Sequence, residues 1–227
     1  MRLWGPMPHN PWPRGMAIYV DDTPHHLLIL LFVRQAWGVA ADADVRGLDP
    51  LPYIGTSRMP DSAARGEWDQ RWHRAWARAW EWYAVQEPDP TIHPTPGFLH
   101  EASQPGQPLN PLIPPFWQAE HGWTGIDVDA YNAWERKCSP RSFPRPRGTR
   151  EKSAPELPEP HSLAALIAAW EGGLDTVIVL PYAGYFARRI TKRHLAVSAA
   201  TRNDPVSYSK ALGTPATPDA LPGGGVP

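Results

Sequence analysis

Residues 67 to 83 read EWDQRWHRAWARAWEWY, five tryptophans in seventeen positions, and what this stretch becomes decides the fold. At ~100° per residue, Trp68, Trp72, Trp76 and Trp80 drift by about 40° at each step, and Ala75, Ala79 and Tyr83 fall among them on the same arc. Glu67, Gln70, Arg74, Arg78 and Glu81 occupy the other side. The spacing predicts an amphipathic helix whose indoles pack inward. Alanines interleaved with the rings allow close approach, whereas an aromatic cage for a cation collects its rings from several segments. Trp82 lies at the margin of the face and is the ring to choose if any of them is exposed for contact. Asp69 falls within the apolar arc, where the first-turn amides and the positive helix end would receive it.

Upstream, AIYV at 17–20 reads as a short strand. The run LLILLFV at 27–33 follows Thr23-Pro24, a cap and first-turn pair, and ends before Gly38, a helix stop. A helix over 24–37, buried on most sides, is expected in preference to a hairpin turning at DDTP. Segment 39–64 reads as loop. Between 86 and 115 stand nine prolines in thirty positions, too many for a regular element, so this stretch is expected to wrap the surface. Residues 126–137 predict a short helix capped by Asp127 or Asp129.

The basic, proline-rich stretch 139–160 reads as a linker or loop. Beyond it, HSLAALIAAWEGG predicts a helix with Ser162 at its cap, apolar Leu163, Leu166, Ile167 and Trp170, and Gly172 or Gly173 at its end. DTVIVLPY predicts a buried strand, YFARRI a helix or returning strand, and LAVS at 195–198 a second strand. A last helix should start at Asp204-Pro205.

The fold class is therefore α+β: an N-terminal helical part with a Trp-rich amphipathic helix, packed with a C-terminal α-β-β-α unit and joined by long proline-rich loops. The expected organisation is a helical part over 1–138, a linker over 139–160, an α/β unit over 161–212 and a tail over 213–227 without fixed structure.

Composition excludes more than it assigns. With 22 basic and 23 acidic side chains, the chain has a formal charge of -1 and no global attraction for nucleic acid or an anionic membrane. No apolar run approaches the ~20 residues of a spanning helix, so no membrane partner is expected. The N-terminal fifteen residues carry four prolines and no apolar core, unlike a signal peptide. Cys138, the only cysteine, has no partner for an internal disulfide, and a soluble cytoplasmic protein is the expectation.

Known catalytic spacings are missing: G-x-S-x-G, S-x-x-K, H-E-x-x-H, C-x-x-C and the phosphate-cradling glycine loops do not occur. No cofactor and no metal is assigned. DDTPHH at 21–26 brings two acids near two histidines, yet it matches no metal spacing, and His25 and His26 read as ordinary solvent-facing or edge residues of a first helical turn. His93, His100, Glu101, Glu120 and His121 fall in stretches read as too loose to hold ligand geometry.

The stretch that most suggests a ligand is LPYAGYFARRITKRH at 180–194, where a strand ends, Gly184 permits a turn, and cations follow with tyrosines among them. Tyr182, Tyr185, Arg188, Arg189, Arg193 and His194 are the candidate binding residues, guanidinium forks being suited to phosphate or carboxylate. The leading functional expectation is a non-catalytic protein-interaction or accessory protein with a protein partner. The alternatives are a binder of a phosphate-bearing ligand, nucleic acid being the less favoured form of it, and an enzyme assembled from His194, Arg193 and Tyr182.

Overall fold

The computed structural model describes residues 11–85, 109–110, 113–138 and 157–215. Most of the expected wrapping segment, most of the linker, most of the tail, and His93, His100 and Glu101 lie outside them. The chain is α+β and divides into two compact units. Among the described residues, one draws on 24–46, 50–85, 109–110 and 113–137, and the other on 11–23, 47–49, 138 and 157–215.

The first unit is helical: α1 His25–Trp37, α2 Arg65–Val85, α3 Trp117–His121 and α4 Val128–Cys138. Every residue of α1 from His26 to Val33 is buried, the condition under which a helix carries apolar side chains all round. Gly38 ends it in the left-handed conformation at φ 64°, its N–H reaching Arg34 O at 3.0 Å. Thr23 does not cap it. Pro24 takes the cap position, and its carbonyl accepts from the N–H groups of Leu27 and Leu28 at 2.9 Å each. The helix begins at His25, one residue later than expected.

The tryptophan face of α2 is turned inward, with Trp68, Trp72, Trp76, Trp80 and Trp82 all buried. A buried indole N–H usually finds an acceptor, and three on this face do, whereas Trp80 Nε1 has none among the described residues. Trp72 donates to Leu30 O at 2.8 Å, Trp68 to Pro60 O at 3.2 Å and Trp82 to Asn110 O at 2.8 Å. Trp72 and Trp76 stack at 5.1 Å, and Trp76 meets Trp80 edge-on at 5.6 Å. Trp82, the ring at the margin, is buried like the others, because the segment at Asn110 covers that edge; among the described residues of this unit the exposed indole is Trp123. Asp69 does not serve its own first turn either. Its carboxylate accepts from Ala40 N at 2.6 Å, holding that non-glycine residue at φ 50°.

The second unit is a sheet with helices: β1 Tyr19–Asp21, α5 Leu163–Glu171, β2 Thr176–Leu180, β3 Ala187–Arg189, β4 His194–Ser198, α6 Ala199–Asn203 and α7 Pro205–Leu212. Strand order is β1-β2-β4-β3, the first three mutually parallel and β3 antiparallel to β4. YFARRI is therefore the returning strand of a hairpin with LAVS rather than a helix. Three strands stand in 161–212 where two were expected, since Ala187–Arg189 adds an edge, and the strand expected at 17–20 joins the same sheet as Tyr19–Asp21.

Val177, Val179, Leu195 and Val197 face Leu166 and Ala169 of α5 and Tyr208, Ala211 and Leu212 of α7. The alternate residues Thr176, Ile178, Leu180, His194, Ala196 and Ser198 are buried as well, which explains the continuous apolar reading of both strands. Asp204 caps α7 by accepting from Ser207 N at 2.8 Å, with Pro205 in the first position. Ser162 precedes α5 as expected, but its hydroxyl donates to Pro205 O at 3.2 Å and so links two helices instead of capping one.

Candidate functional site

The six residues nominated by the basic stretch do not form one cluster, because the sheet sets them at opposite ends. Tyr182 lies just past the C-terminal end of β2, buried, with its ring 4.9 Å from Phe186 and its backbone bridged to Leu48. Tyr185 is exposed, and the ammonium of Lys210 lies 5.0 Å over its ring. His194 opens β4 in register with Thr176 at the other end, a strand length of ~16 Å away. Arg188 and Arg189 are neighbours on β3, paired with Ala196 and Leu195, so their side chains leave opposite faces of the sheet.

At the His194 end, the polar groups engage one another. Arg189 is buried, and its guanidinium donates to the carbonyls of Thr191, at 3.0 Å from Nε, and Lys192. Burial lowers its pKa from the ordinary arginine value, with Asp175 opposing. Arg193 Nε contacts Asp175 Oδ2 at 2.6 Å, and Thr176 donates to the same carboxylate at 2.8 Å. His194 is buried with Nδ1 2.8 Å from Thr191 Oγ1, and burial pushes its pKa down to about 4. Asp175 is the residue that sequence reasoning missed; an acid directly before a buried strand and a cation at the matching place before the parallel one were the available signal.

The helical unit holds a second polar group of interest. Glu135 of α4 is buried and receives two contacts on Oε1: Tyr131 donates its hydroxyl at 2.5 Å, and His25 Nδ1 lies at 2.7 Å. Burial pushes this carboxyl up, but the hydrogen bonds from His25 and Tyr131 outweigh it and hold the pKa below the usual glutamate value. The His25 side chain is 55% exposed. A carboxylate at Nδ1 fixes the orientation of the imidazole. Tyr131 and Glu135 stand four apart on one helix face, a pairing visible in the sequence; their link to His25 is not.

His26 departs from its expected place. It is buried, with ring centroids 5.3 Å from both Trp82 and Tyr83 and 6.2 Å from Phe116, and burial pushes its pKa down to about 3. Glu120 and His121 likewise sit on an ordered helix, α3. Glu120 pairs with Arg78, and His121 lies 4.2 Å from Trp117 and 5.9 Å from Trp68. Among the described residues, no three His, Cys, Asp or Glu side chains gather as a metal site, and no helix is long and apolar enough to cross a membrane.

One surface feature stands out in the helical unit. Residues 50–58 run beside α4 and the turn before it. Trp134 donates to Pro50 O at 2.7 Å, Thr56 N donates to Asp127 at 2.9 Å, the Ser57 hydroxyl accepts from Asp127 N at 2.9 Å, and Arg58 N donates to Gly125 O at 3.0 Å. On this tied segment Leu51 is 67% and Tyr53 77% exposed, and the elements holding it also present Trp123 and Val128 to solvent. Comparison with protein-family models, with curated proteins and with solved structures returns no match for this chain.

Proposed function

We propose that this chain is a non-catalytic interaction or accessory protein that receives a protein partner on the surface formed by Leu51, Tyr53, Trp123 and Val128. The observation that carries the reading is the tying of residues 50–58 to Asp127, Gly125 and Trp134 while Leu51 and Tyr53 point outward. A loop that is fixed in advance loses little entropy on binding, and tyrosine and tryptophan contribute large contact area with few rotatable bonds. Single exposed apolar side chains are ordinary on any protein; four of them on one braced neighbourhood are the exception that suggests contact.

The test compares proteins that co-purify with the full chain and with Leu51→Asp/Tyr53→Asp, quantified by mass spectrometry from the native host. A partner depleted about tenfold or more by the double variant, with near-ultraviolet circular dichroism unchanged, supports the reading. The same proteins recovered in the same amounts overturn it.

The alternative of a phosphate-bearing ligand at 182–194 draws less support, since the guanidinium groups of Arg189 and Arg193 already have acceptors inside the unit. Retention on a phosphate column that falls with salt, and is lost in Arg188→Ala/Arg189→Ala, would reverse this order. An active site combining Tyr182 with His194 draws none, because the two stand at opposite ends of the β2–β4 pair.

A further inference from the structure

We propose that the helical unit carries an acid-release device, in which neutral imidazoles of His26 and His121 pin the two ends of the tryptophan helix and their protonation frees its indole face. The placement is specific. His26 packs on Trp82 and Tyr83, near the C-terminal end of α2, and His121 packs on Trp68, in its first turn. Between these ends lie Trp72, Trp76 and Trp80, all buried.

Neither ring is placed to accept a proton and stay. Around His26 stand the rings of Trp82 and Tyr83 from α2 and of Phe116 from the segment before α3, and its Nε2 has no hydrogen-bond partner. Its own helix adds His25, whose positive charge would work against a second one, while Glu135 of α4 is engaged by His25 and Tyr131. A charged imidazole there would be desolvated without a counter-ion.

His121 faces Arg71 and Arg74 of α2, both of which disfavour its protonation, and burial lowers its pKa to about 4. Glu120 Oε2 lies 3.7 Å from its Nε2, beyond hydrogen-bond reach, while Arg78 holds Oε1 of the same carboxylate. Burial raises the Glu120 carboxyl, so this group titrates in the opposite sense, one against two.

An unfolded histidine takes up its proton near pH ~6.5, whereas these two hold out to about 3 and about 4, so opening is coupled to proton uptake throughout that window. Each such histidine multiplies the opening constant about tenfold per pH unit, and two together about a hundredfold. The exposed product would be an apolar helix face set with indoles.

The experiment follows the full chain from about pH 7.5 to about pH 4.5 by near-ultraviolet circular dichroism and binding of a hydrophobic dye. Among described tryptophans, all but Trp12 and Trp170 belong to the helical unit, so this signal is dominated by it. The expected result is loss of the aromatic signal with a gain of dye binding and a urea midpoint that falls steeply with acid. His26→Leu or His121→Leu should each cut the slope to about tenfold per pH unit. A urea midpoint that stays flat over this range, or variants with an unchanged slope, overturn the proposal. Should the variants fail to fold, nitrogen-resolved nuclear magnetic resonance of the wild type decides. Both imidazoles neutral in the folded protein at about pH 5.5 support the device, and either one titrating near ~6.5 with the fold intact removes it.

Discussion

Gly55 lies against the carboxylate of Asp127 so closely that a Cβ at position 55 would stand 2.7 Å from Asp127 Cγ and 3.0 Å from Ala130 Cβ. The contact explains how a loop with two solvent-facing apolar side chains stays in place. Gly55 takes φ 57°, which turns Thr56 N toward the carboxylate, and the same Asp127 caps α4 by accepting from Ala130 N at 3.0 Å. One side chain thus starts the helix and holds the loop.

Gly55→Ala is expected to destabilise the protein by about 1–2 kcal/mol from the left-handed backbone alone, and by more once the clash is added. Urea unfolding measures the loss, and limited proteolysis should report new cleavage within residues 50–58. Asp127→Ala should expose the same sites. The hydrogen bonds to Thr56 N and Ala130 N hold the Asp127 pKa below the usual aspartate value. Its contribution is accordingly present above the unfolded carboxylate pKa and disappears as pH falls through the folded one.

Ser198 joins three elements of the sheet unit. Its hydroxyl donates to Gly184 O at 2.6 Å and accepts from Thr201 N at 3.0 Å, capping α6, while Thr201 Oγ1 accepts from Phe186 N at 2.9 Å. Ser198→Ala removes a fully buried cap and should cost about 1–2 kcal/mol in chemical denaturation. A loss below about 0.5 kcal/mol would mean that Gly184 and Thr201 find other partners.

Arg202 and Glu159 form an ion pair between α6 and the turn before α5, with Nε at 2.8 Å and a terminal guanidinium nitrogen at 2.6 Å from Oε1. Both side chains are nearly closed to water, at 8% and 11% exposure, so removing one partner strands the other. Arg202→Met alone should cost about 3 kcal/mol or more, and Glu159→Leu/Arg202→Met together markedly less. A double-mutant cycle distinguishes this from two independent contributions.

His194 makes the sheet unit acid-sensitive in its own right. Its folded pKa of about 4 lies below the ~6.5 of an unfolded imidazole. Stability is therefore fully present above ~6.5 and declines as pH falls toward about 4, by the order of 3 kcal/mol in all. Hydrogen exchange of peptides covering 174–198, corrected for the intrinsic pH dependence, should show this decline, and His194→Asn should flatten it.

Interactions within a few residues were legible in the chain itself. The inward tryptophan face of α2, the left-handed stop at Gly38, the Asp204–Pro205 start of α7 and the buried runs of β2 and β4 all follow from spacings of one to four residues, where periodicity and capping act. Long-range neighbours were not, because burial and pairing depend on what chain folding brings alongside. Tyr19–Asp21 pairs with Thr176–Ile178, a partner no local pattern names. Asn110 covers Trp82, three aromatic rings close over His26, and Asp69 reaches Ala40. The antiparallel turn of β3 onto β4 set the arginines and tyrosines of one short basic stretch at opposite ends of a sheet, where side-chain chemistry alone had suggested a single cluster.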